Sequence, residues 1–340
     1  MVALRQLRQV QQPAVGSDER PVAPLRCYSF LPDGCGFAHD VRAGLSMRYK
    51  VVPPRWSFDA EGQRLYAALM QSPEFYAQRC ELEVLKSHGA EIFEFIGPDA
   101  QLMAIGGGGL PTIRYLLVQL RPALHLQVDV DALAARLAAA WLAAEFPHVN
   151  MAAIVADTTS PLVLPEFVGV SLRRKVVILP GWTLGSVTAD ELFAMLQQAR
   201  RMVGAGGILL AGVGLKKLRK VLDASCNDAA GAMAAFNAHV MTRINTDLGG
   251  DIQVNRFRHL AFYDEVKGRV EMFMESQFAQ VAHVAGERYS FDAGEAVLTG
   301  IMCKYTDEEF LSLAGEAGFV SQKVWTDASQ QFSVHGLLAS

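Results

Sequence analysis

The sequence has few of the features that mark secreted, membrane-spanning or disulfide-stabilised proteins. Its five cysteines are odd in number and form no Cys-x-x-Cys pair, which favours a reduced, cytoplasmic protein. No apolar run reaches the roughly 18 residues that a transmembrane helix needs, so no membrane association is predicted. The basic first residues also lack the long apolar core of a secretory signal.

Basic clusters and metal-ligand patterns are lacking too. The net charge is −4, and the one basic run, KKLRK at 216–220, is typical of a solvated helix face. Nucleic-acid binding is therefore not predicted. The eight histidines have no ligand spacing, so we predict no metal site. Apolar residues are abundant, at 51% of 340 residues, which is enough for one large domain and a second lobe.

A glycine-rich stretch, QLMAIGGGGLP at 101–111, organises the rest of the chain. An apolar run ends in four consecutive glycines, Gly106 to Gly109, and a helix-like segment, TIRYLLVQL, follows. Glycines allow a sharp turn and let a ligand approach the backbone closely. The pattern predicts the first strand, turn and helix of a nucleotide-binding unit, although four glycines can also form a flexible loop.

Strand-like and helix-like segments alternate from 101 to 214, which predicts an α/β fold with a parallel sheet. Two predicted helices begin at caps, one at Asp131 and one at Thr188, which forms a capping box with Glu191. The predicted strands occupy 102–106, 124–131, 151–157, 175–181 and 206–214.

Two acids stand where these strands end. Asp129 follows the glycine turn by about 20 residues, the position from which an acid binds ribose hydroxyls. Asp157 ends the next strand, where an acid can meet an adenine amino group. Both are expected at the carboxyl edge of the sheet, where open α/β sheets bind ligands. Helix capping is the alternative role for each acid.

The flanking regions follow other patterns. Residues 1–45 are rich in Pro, Gln, Arg and Gly and show no sustained period, which predicts an extension with little regular structure, either a mobile arm or a disordered tail. Residues 55–86 look helical around Pro73, and their aromatic side chains either pack in a core or wall a pocket. A second lobe of mixed α and β structure is predicted from segments 224–248, 256–277, 304–319 and 331–339.

From about Arg55 onward, the chain resembles the L-histidine Nα-methyltransferases of ergothioneine biosynthesis, which use S-adenosyl-L-methionine (SAM). The matching stretches run in family order and include FDAEGQRLY, SPEFYAQRCELEVL, ILPGWTLGSVT, RINTDLGGD, FRHLAFYDEVKGRVEM and KYTDEEFLSLAGEAGF. The resemblance implies a class I methyltransferase Rossmann-like domain with a second, mixed α+β domain that closes over the acceptor. It implies four segments: a flexible extension (1–45), the first part of the second domain (46–90), the SAM-binding domain (91–215) and the rest of the second domain (216–340).

The resemblance also implies a SAM site. Gly106 and Gly108 would lie under SAM, Asp129 would bind its ribose, and Asp157 with Thr158 would meet its adenine. The same resemblance completes the site with Gly181, Phe75, Tyr76 and Arg79.

The chain departs from the family where the acceptor binds. Ala104 stands where the family has an acid before its glycines, and Trp182 stands where the family has a serine in a turn. Polar residues that hold histidine in the family are replaced here by Phe58, Ser186, Cys226, Gly300 and Met302, whereas the methionine Met272 is kept. A cavity without hydrogen-bonding partners binds a polar amino acid poorly. We therefore expect a cavity lined by Cys226, Met272 and Met302 that does not select histidine.

The run IGGGGLP is also similar to the motif of nicotianamine synthases, which transfer the 3-amino-3-carboxypropyl arm of SAM. The loss of the acid at Ala104 and an apolar cavity both favour a neutral SAM amine. Such an amine could attack its own Cγ, which gives azetidine-2-carboxylate and methylthioadenosine. This is the reaction of azetidine-2-carboxylate synthases in bacterial peptide-product pathways, and we predict it here.

Three alternatives stay open: N-methylation of a small amine or amino acid other than histidine, transfer of the arm to another molecule, and a SAM-binding pseudoenzyme. For cyclisation, Trp182, Phe58 and Tyr66 are candidates for cation–π contact with the sulfonium. Tyr66 and Ser186 could hold the carboxylate or accept a proton through water. Plain packing is the alternative for Trp182, and Cys226 is either a nucleophile or a buried, inert thiol.

Overall fold

A computed structural model of the chain describes residues 25–32, 35–164 and 174–340. The extension predicted over 1–45 lies partly outside the described residues, at 1–24 and 33–34. For the rest the prediction was wrong, because Arg26–Ser29 forms a strand and Phe37–Leu45 forms a helix. The strand pairs with the sheet edge at Asn150–Val155, and the helix buries Val41 and Leu45.

Within the described residues, the central sheet has eight strands in the spatial order β1-β4-β3-β2-β5-β6-β13-β12. Strands β1 to β6 are parallel, and β13 runs antiparallel to both of its neighbours. The bounds are β1 Arg26–Ser29, β2 Ala100–Ile105, β3 Leu124–Asp129, β4 Asn150–Val155, β5 Arg174–Leu179, β6 Ile208–Gly214, β12 Phe319–Thr326 and β13 Phe332–Ala339. This order, with one reversed strand next to the edge, is the class I methyltransferase arrangement, which confirms the predicted fold.

Helices cover both faces of the sheet, which explains why β2 and β3 are buried at every residue. One face packs against α8 and α11, and the other packs against α3, α4 and α5. The predicted caps at Asp131 and Thr188 are confirmed. The helices are α1 Phe37–Leu45, α2 Ala60–Leu69, α3 Ala77–Ser87, α4 Gly89–Ile96, α5 Leu110–Leu120, α6 Ala132–Glu145, α7 Gly181–Gly185, α8 Ala189–Val203, α9 Arg219–Ser225, α10 Ala232–Leu248 and α11 Asp307–Glu316.

Residues 216–304, here called the lid, lie between β6 and α11. The lid holds α9, α10, a three-stranded sheet in the order β11-β8-β7, and the hairpin β9–β10. Its strands are β7 Phe257–Asp264, β8 Arg269–Ser276, β9 Gln280–Val284, β10 Glu287–Phe291 and β11 Ala296–Cys303. The helix predicted over 224–248 is broken, because Gly231 takes a left-handed conformation with φ 72° before α10 begins.

The predicted domain boundaries need two corrections. Residues 305–339 were assigned to the second domain, yet α11 packs on the central sheet, and β12 and β13 complete that sheet. Residues 77–90 were assigned there too, yet α3 packs on the central sheet through Val84 and Leu85. In both segments the apolar face meets the Rossmann-like core, which the order of segments along the chain does not indicate.

Candidate active site

Thr183 and Trp182, which follow β5, pack closely against the glycine turn. Gly106 has φ +87°, and a Cβ there would lie 2.3 Å from the hydroxyl oxygen of Thr183. That hydroxyl donates a hydrogen bond to the carbonyl of Ile105 at 3.0 Å. At Gly108, a Cβ would lie 2.5 Å from Cδ1 of Trp182. Both positions therefore need glycine, and the loop leads directly into α5.

An open cavity of about 320 Å³ lies between the carboxyl edge of the central sheet and the lid. It runs from the glycine turn past β3 and β4 to the lid residues Leu298 and Arg269. Eight residues predicted for the site line it: Phe58, Gly106, Gly108, Asp129, Asp157, Thr158, Trp182 and Ser186. The structure thus brings together the predicted ribose and adenine residues with two of the three aromatic candidates for catalysis.

Asp129 is a buried carboxyl that faces this cavity. It is 6% exposed, and one oxygen accepts a hydrogen bond from the backbone N–H of Asp131 at 2.9 Å. The other oxygen lies 3.4 Å from the position that a Cβ of Gly107 would take. Burial, together with the nearby Asp131 charge, raises the pKa of Asp129 to about 7. This cradle fits a ribose, whose hydroxyls donate hydrogen bonds and need a buried acceptor.

Binding of methylthioadenosine should strengthen about tenfold between pH 6 and pH 8. The pKa of Asp129 is raised to about 7, so below that pH the carboxyl is protonated and accepts from ribose less strongly. Methylthioadenosine has the ribose of SAM but not its titrating amine, so calorimetric affinities across this range report the protein group. In Asp129→Asn the affinity should be weaker and flat with pH. The same rise in that variant would assign the titration to another residue.

The side chain of Asp157 stabilises the turn that begins at this residue, at the wall of the open cavity. One oxygen accepts from the backbone N–H of Thr159 at 2.9 Å and from its hydroxyl at 2.6 Å. This local bonding fixes the loop that also carries Thr158. The alternative role as a helix cap does not apply, because no helix follows Asp157 in the described residues up to 164.

Five aromatic rings form a cluster at the end of the cavity near Gly108. The indole of Trp182 lies 4.9 Å from Tyr66, 5.5 Å from Phe236, 5.8 Å from Phe58 and 5.9 Å from Phe75, measured between ring centroids. Of the aromatics at 55–86 that were predicted to pack in a core or wall a pocket, Phe58, Tyr66 and Phe75 do both. Phe236 was missed, since it lies on α10 far along the chain and joins the cluster only through tertiary packing.

A second and narrower cavity, here called the inner pocket, lies behind Trp182. Its volume is about 10 Å³. Five predicted residues line it, namely Tyr66, Phe75, Gly181, Trp182 and Met302, together with Gln78, Glu81 and Lys304. The last three were not predicted. The spacing of Gln78 and Glu81, one helical turn apart on α3, was the available signal, because both face inward.

Hydrogen bonds connect the walls of the inner pocket. The Tyr66 hydroxyl donates to Oε1 of Gln78 at 3.2 Å. Nε2 of Gln78 donates to Glu81 at 3.2 Å and to the Thr112 hydroxyl at 3.0 Å. Glu81 also accepts from the backbone N–H of Gly181 at 3.1 Å. These bonds place a buried carboxyl beside the start of α7, where Trp182 stands.

Two residues predicted to contact SAM lie elsewhere. The guanidinium of Arg79 is occupied by the carbonyls of Ser72, Pro73 and Phe75, at 2.6 to 2.8 Å. It fixes the loop before α3 and does not line either cavity. The ring of Tyr76 lies 3.8 Å below the ammonium of Lys217, and it too is absent from both cavity walls. The resemblance predicted that both residues contact SAM, but the structure places neither at the wall of the open cavity or of the second cavity behind Trp182.

Of the three sulfur-bearing side chains predicted to line the cavity, Cys226 and Met272 line neither the open cavity nor the inner pocket, and Met302 lines only the inner pocket. The thiol of Cys226 is fully buried and lies 3.5 Å from the sulfur of Met302. Burial raises the pKa of Cys226 to about 11, which favours the inert thiol over the nucleophile. The methyl end of Met272 fills the space above Gly300, 2.6 Å from where a Cβ would lie.

Within the described parts of the chain, no cluster of three His, Cys, Asp or Glu side chains could hold a metal ion. Over the same residues, no helix has the length and apolar character needed to cross a membrane.

Comparison with known proteins places the chain in a family. Residues 37–339 match the family model described as histidine-specific methyltransferase, SAM-dependent. The histidine N-alpha-methyltransferase of Mycolicibacterium smegmatis is 34% identical over 87% of this chain and 92% of its own length. That of Mycobacterium tuberculosis is 29% identical over the same shares. A 4-dimethylallyltryptophan N-methyltransferase of Claviceps purpurea is 24% identical over 86% of this chain and 92% of its own length.

These relatives span most of the chain, and the glycine turn, Asp129 and Asp157 line the open cavity at the carboxyl edge of the sheet, where open α/β sheets bind ligands. The chain is therefore an enzyme of the histidine-specific, SAM-dependent methyltransferase family.

Proposed function

We propose that this family member cyclises SAM to azetidine-2-carboxylate and releases methylthioadenosine. The observation that carries the proposal is the aromatic cluster, in which Trp182 packs over Gly108 and against Phe58, Tyr66, Phe75 and Phe236. Of these rings, Trp182 and Phe58 line the open cavity near the glycine turn, and we infer that they take the place where a second substrate would meet SAM. A reaction that needs no second substrate is compatible with this arrangement.

Residues at the acceptor site support the same proposal. Gly300 stands where the family has a glutamate, and the terminal methyl group of Met272 fills the space that a side chain at this position would occupy. Cys226 and Met302, which replace a tyrosine and a serine, are buried against each other. Ser186 does line the open cavity, but its hydroxyl already donates to the carbonyl of Thr183 at 3.0 Å. At these replaced positions an amino-acid acceptor would find no partner for its amine or its carboxylate, which is costly.

The reaction balances without an oxidant or a co-substrate. The ammonium of SAM first loses one proton, and the neutral amine nitrogen then attacks Cγ. The Cγ–S bond breaks, and its electron pair stays on sulfur as methylthioadenosine leaves. The new secondary ammonium keeps two hydrogens, so azetidine-2-carboxylate forms as a zwitterion and one proton is released overall.

The protein's contribution is to fold the arm of SAM and to exclude water. Bringing the amine over Cγ is a proximity effect, which can be worth about 7–11 kcal/mol. The rings of Trp182 and Phe58 line the cavity at the end near the glycine turn, and each ring facing a cation contributes about 0.5–2 kcal/mol.

N-methylation of a small amine is the second candidate. Family membership favours it, as does the part of the open cavity that extends past Ser186 towards Arg55 and Arg269. A small amine could occupy that part of the cavity beside SAM. Such a reaction would release S-adenosylhomocysteine and would require the acceptor to be present.

The test is to incubate the purified protein with SAM alone and to identify the products by mass spectrometry. We expect methylthioadenosine and azetidine-2-carboxylate in equal amounts. The amino-acid product is decisive, because attack by SAM's own carboxylate would give homoserine lactone with the same methylthioadenosine. SAM that stays intact until an amine is added, followed by S-adenosylhomocysteine, would replace cyclisation with methyl transfer.

A further inference from the structure

Two oppositely charged side chains are buried in the inner pocket and do not pair with each other. Glu81, on α3, is 3% exposed, and Lys304, directly after β11, is 4% exposed. Both line the pocket behind Trp182. Buried charges are normally paired, because removing an ion from water is expensive.

Strand β6 fixes the separation of the two charges. A Cβ at Gly212 would lie 2.5 Å from Oε1 of Glu81, and a Cβ at Gly214 would lie 2.8 Å from Nζ of Lys304. Residues two apart on a strand share a face and lie about 7 Å apart. The carboxylate and the ammonium therefore stand over one face of the strand, too far apart for a direct ion pair but close enough for one small ligand to touch both.

The two groups differ in their partners. Glu81 accepts hydrogen bonds from Gln78 and from the backbone of Gly181. Among the described residues, the Lys304 ammonium has no hydrogen-bond acceptor and no ion-pair partner, although it borders the pocket. Burial accordingly lowers the pKa of Lys304 and raises that of Glu81 to about 7. A bound anion would supply the missing partner of the lysine.

We propose that the inner pocket binds an α-amino-acid head group, with its carboxylate on Lys304 and its amino group beside Glu81. The ligand that we infer is the amino-acid end of SAM itself. This choice rests on the proposed function, in which SAM reacts without a second substrate. A free amino acid carries the same chemistry, and the experiment below separates the two sources.

Trp182 must move for the head group to enter. The inner pocket has a volume of about 10 Å³, which is room for about one water molecule. Trp182 lines both this pocket and the open cavity, so its indole is the wall between them. Turning that ring away joins the two spaces. The ammonium of SAM would then meet Glu81, which can take the proton that the amine must lose before it attacks Cγ and pass it to solvent.

Calorimetric titration with SAM and with methylthioadenosine, which has no amino-acid end, tests the pocket. Lys304→Met should weaken SAM binding about 10- to 100-fold, since a charge-assisted contact is lost. Methylthioadenosine should bind as in the unmodified protein, which also shows that the variant is folded. Glu81→Gln should weaken SAM by about tenfold in the same selective way. Lys217→Met is the matched control, because that lysine donates to Gln331 outside both cavities.

A second titration identifies the source of the head group. Protein saturated with methylthioadenosine is titrated with L-histidine and with L-tryptophan. If either amino acid binds, and Lys304→Met abolishes that binding, the result supports the pocket but assigns it to a free amino acid. If Lys304→Met changes the affinity for neither SAM nor the amino acids, the proposed pocket is wrong. Both tests measure binding, so a wild-type enzyme that makes S-adenosylhomocysteine would refute cyclisation and leave the SAM head-group pocket standing.

Discussion

Replacement of Trp182 by alanine should slow the acceptor-free conversion of SAM about 10- to 100-fold. Trp182 contacts four other rings and covers Gly108. Without it the cavity admits water and the arm of SAM is free to extend, so fewer bound molecules have the amine over Cγ. The measurement is the initial rate of methylthioadenosine release at saturating SAM.

Two variants control this result. Trp182→Phe keeps a ring in the cluster and should retain more of the rate than the alanine variant. Trp141→Ala removes an indole that is 70% exposed on α6, and it should leave the rate unchanged. Because Trp182 also packs in the cluster, the thermal midpoint of each variant must be measured beside its rate. An alanine variant that is folded and within twofold of the wild-type rate would show that the ring only packs.

Replacement of Arg243 by methionine should lower the free energy of unfolding by about 3–5 kcal/mol. Arg243, on α10, is 4% exposed and donates to the carboxylate of Asp131, to the carbonyl of Trp56 and to Asp247. Without the guanidinium, the carboxylate of Asp131 would stay buried and unpaired at 3% exposure. Urea denaturation followed by circular dichroism at neutral pH gives the difference.

An exposed arginine of the lid provides the comparison. Arg258 pairs with Glu275 at 2.7 Å, but its side chain is 60% exposed. Arg258→Met should therefore cost less than about 1 kcal/mol. Equal losses in the two variants would mean that burial of the Arg243 network does not determine its contribution. A large loss only at Arg243 would also predict weaker SAM binding, since the backbone of Asp131 donates to Asp129.

The parts of the site that sit at strand ends could be predicted from the sequence. Gly106, Asp129 and Asp157 each follow an apolar run, and parallel strands bring their carboxyl ends to one edge. Local pattern is sufficient there, because the strand and its following residue are adjacent in the chain. The caps at Asp131 and Thr188 could be predicted for the same reason.

The rest depends on which surfaces meet in three dimensions. Glu81 and Lys304 come from α3 and from the end of β11, and only β6 brings them together. Strand β13 was recognised as a strand but placed in the wrong domain, since its partner β6 precedes the whole lid. Arg79 was placed in the SAM site by resemblance, yet three nearby carbonyls hold it. Periodicity identifies elements and their buried faces but does not identify their distant neighbours.

The two ends of the lid leave and rejoin the central domain side by side. Leu215 and Tyr305 form a parallel bridge, and the backbone N–H of Lys216 donates to the carbonyl of Tyr305 at 3.0 Å. A lid that folds first would bring β6 and β13 together across a short gap, which lowers the entropic cost of pairing them. If the lid does fold first, substitutions that destabilise the lid would also delay completion of the sheet.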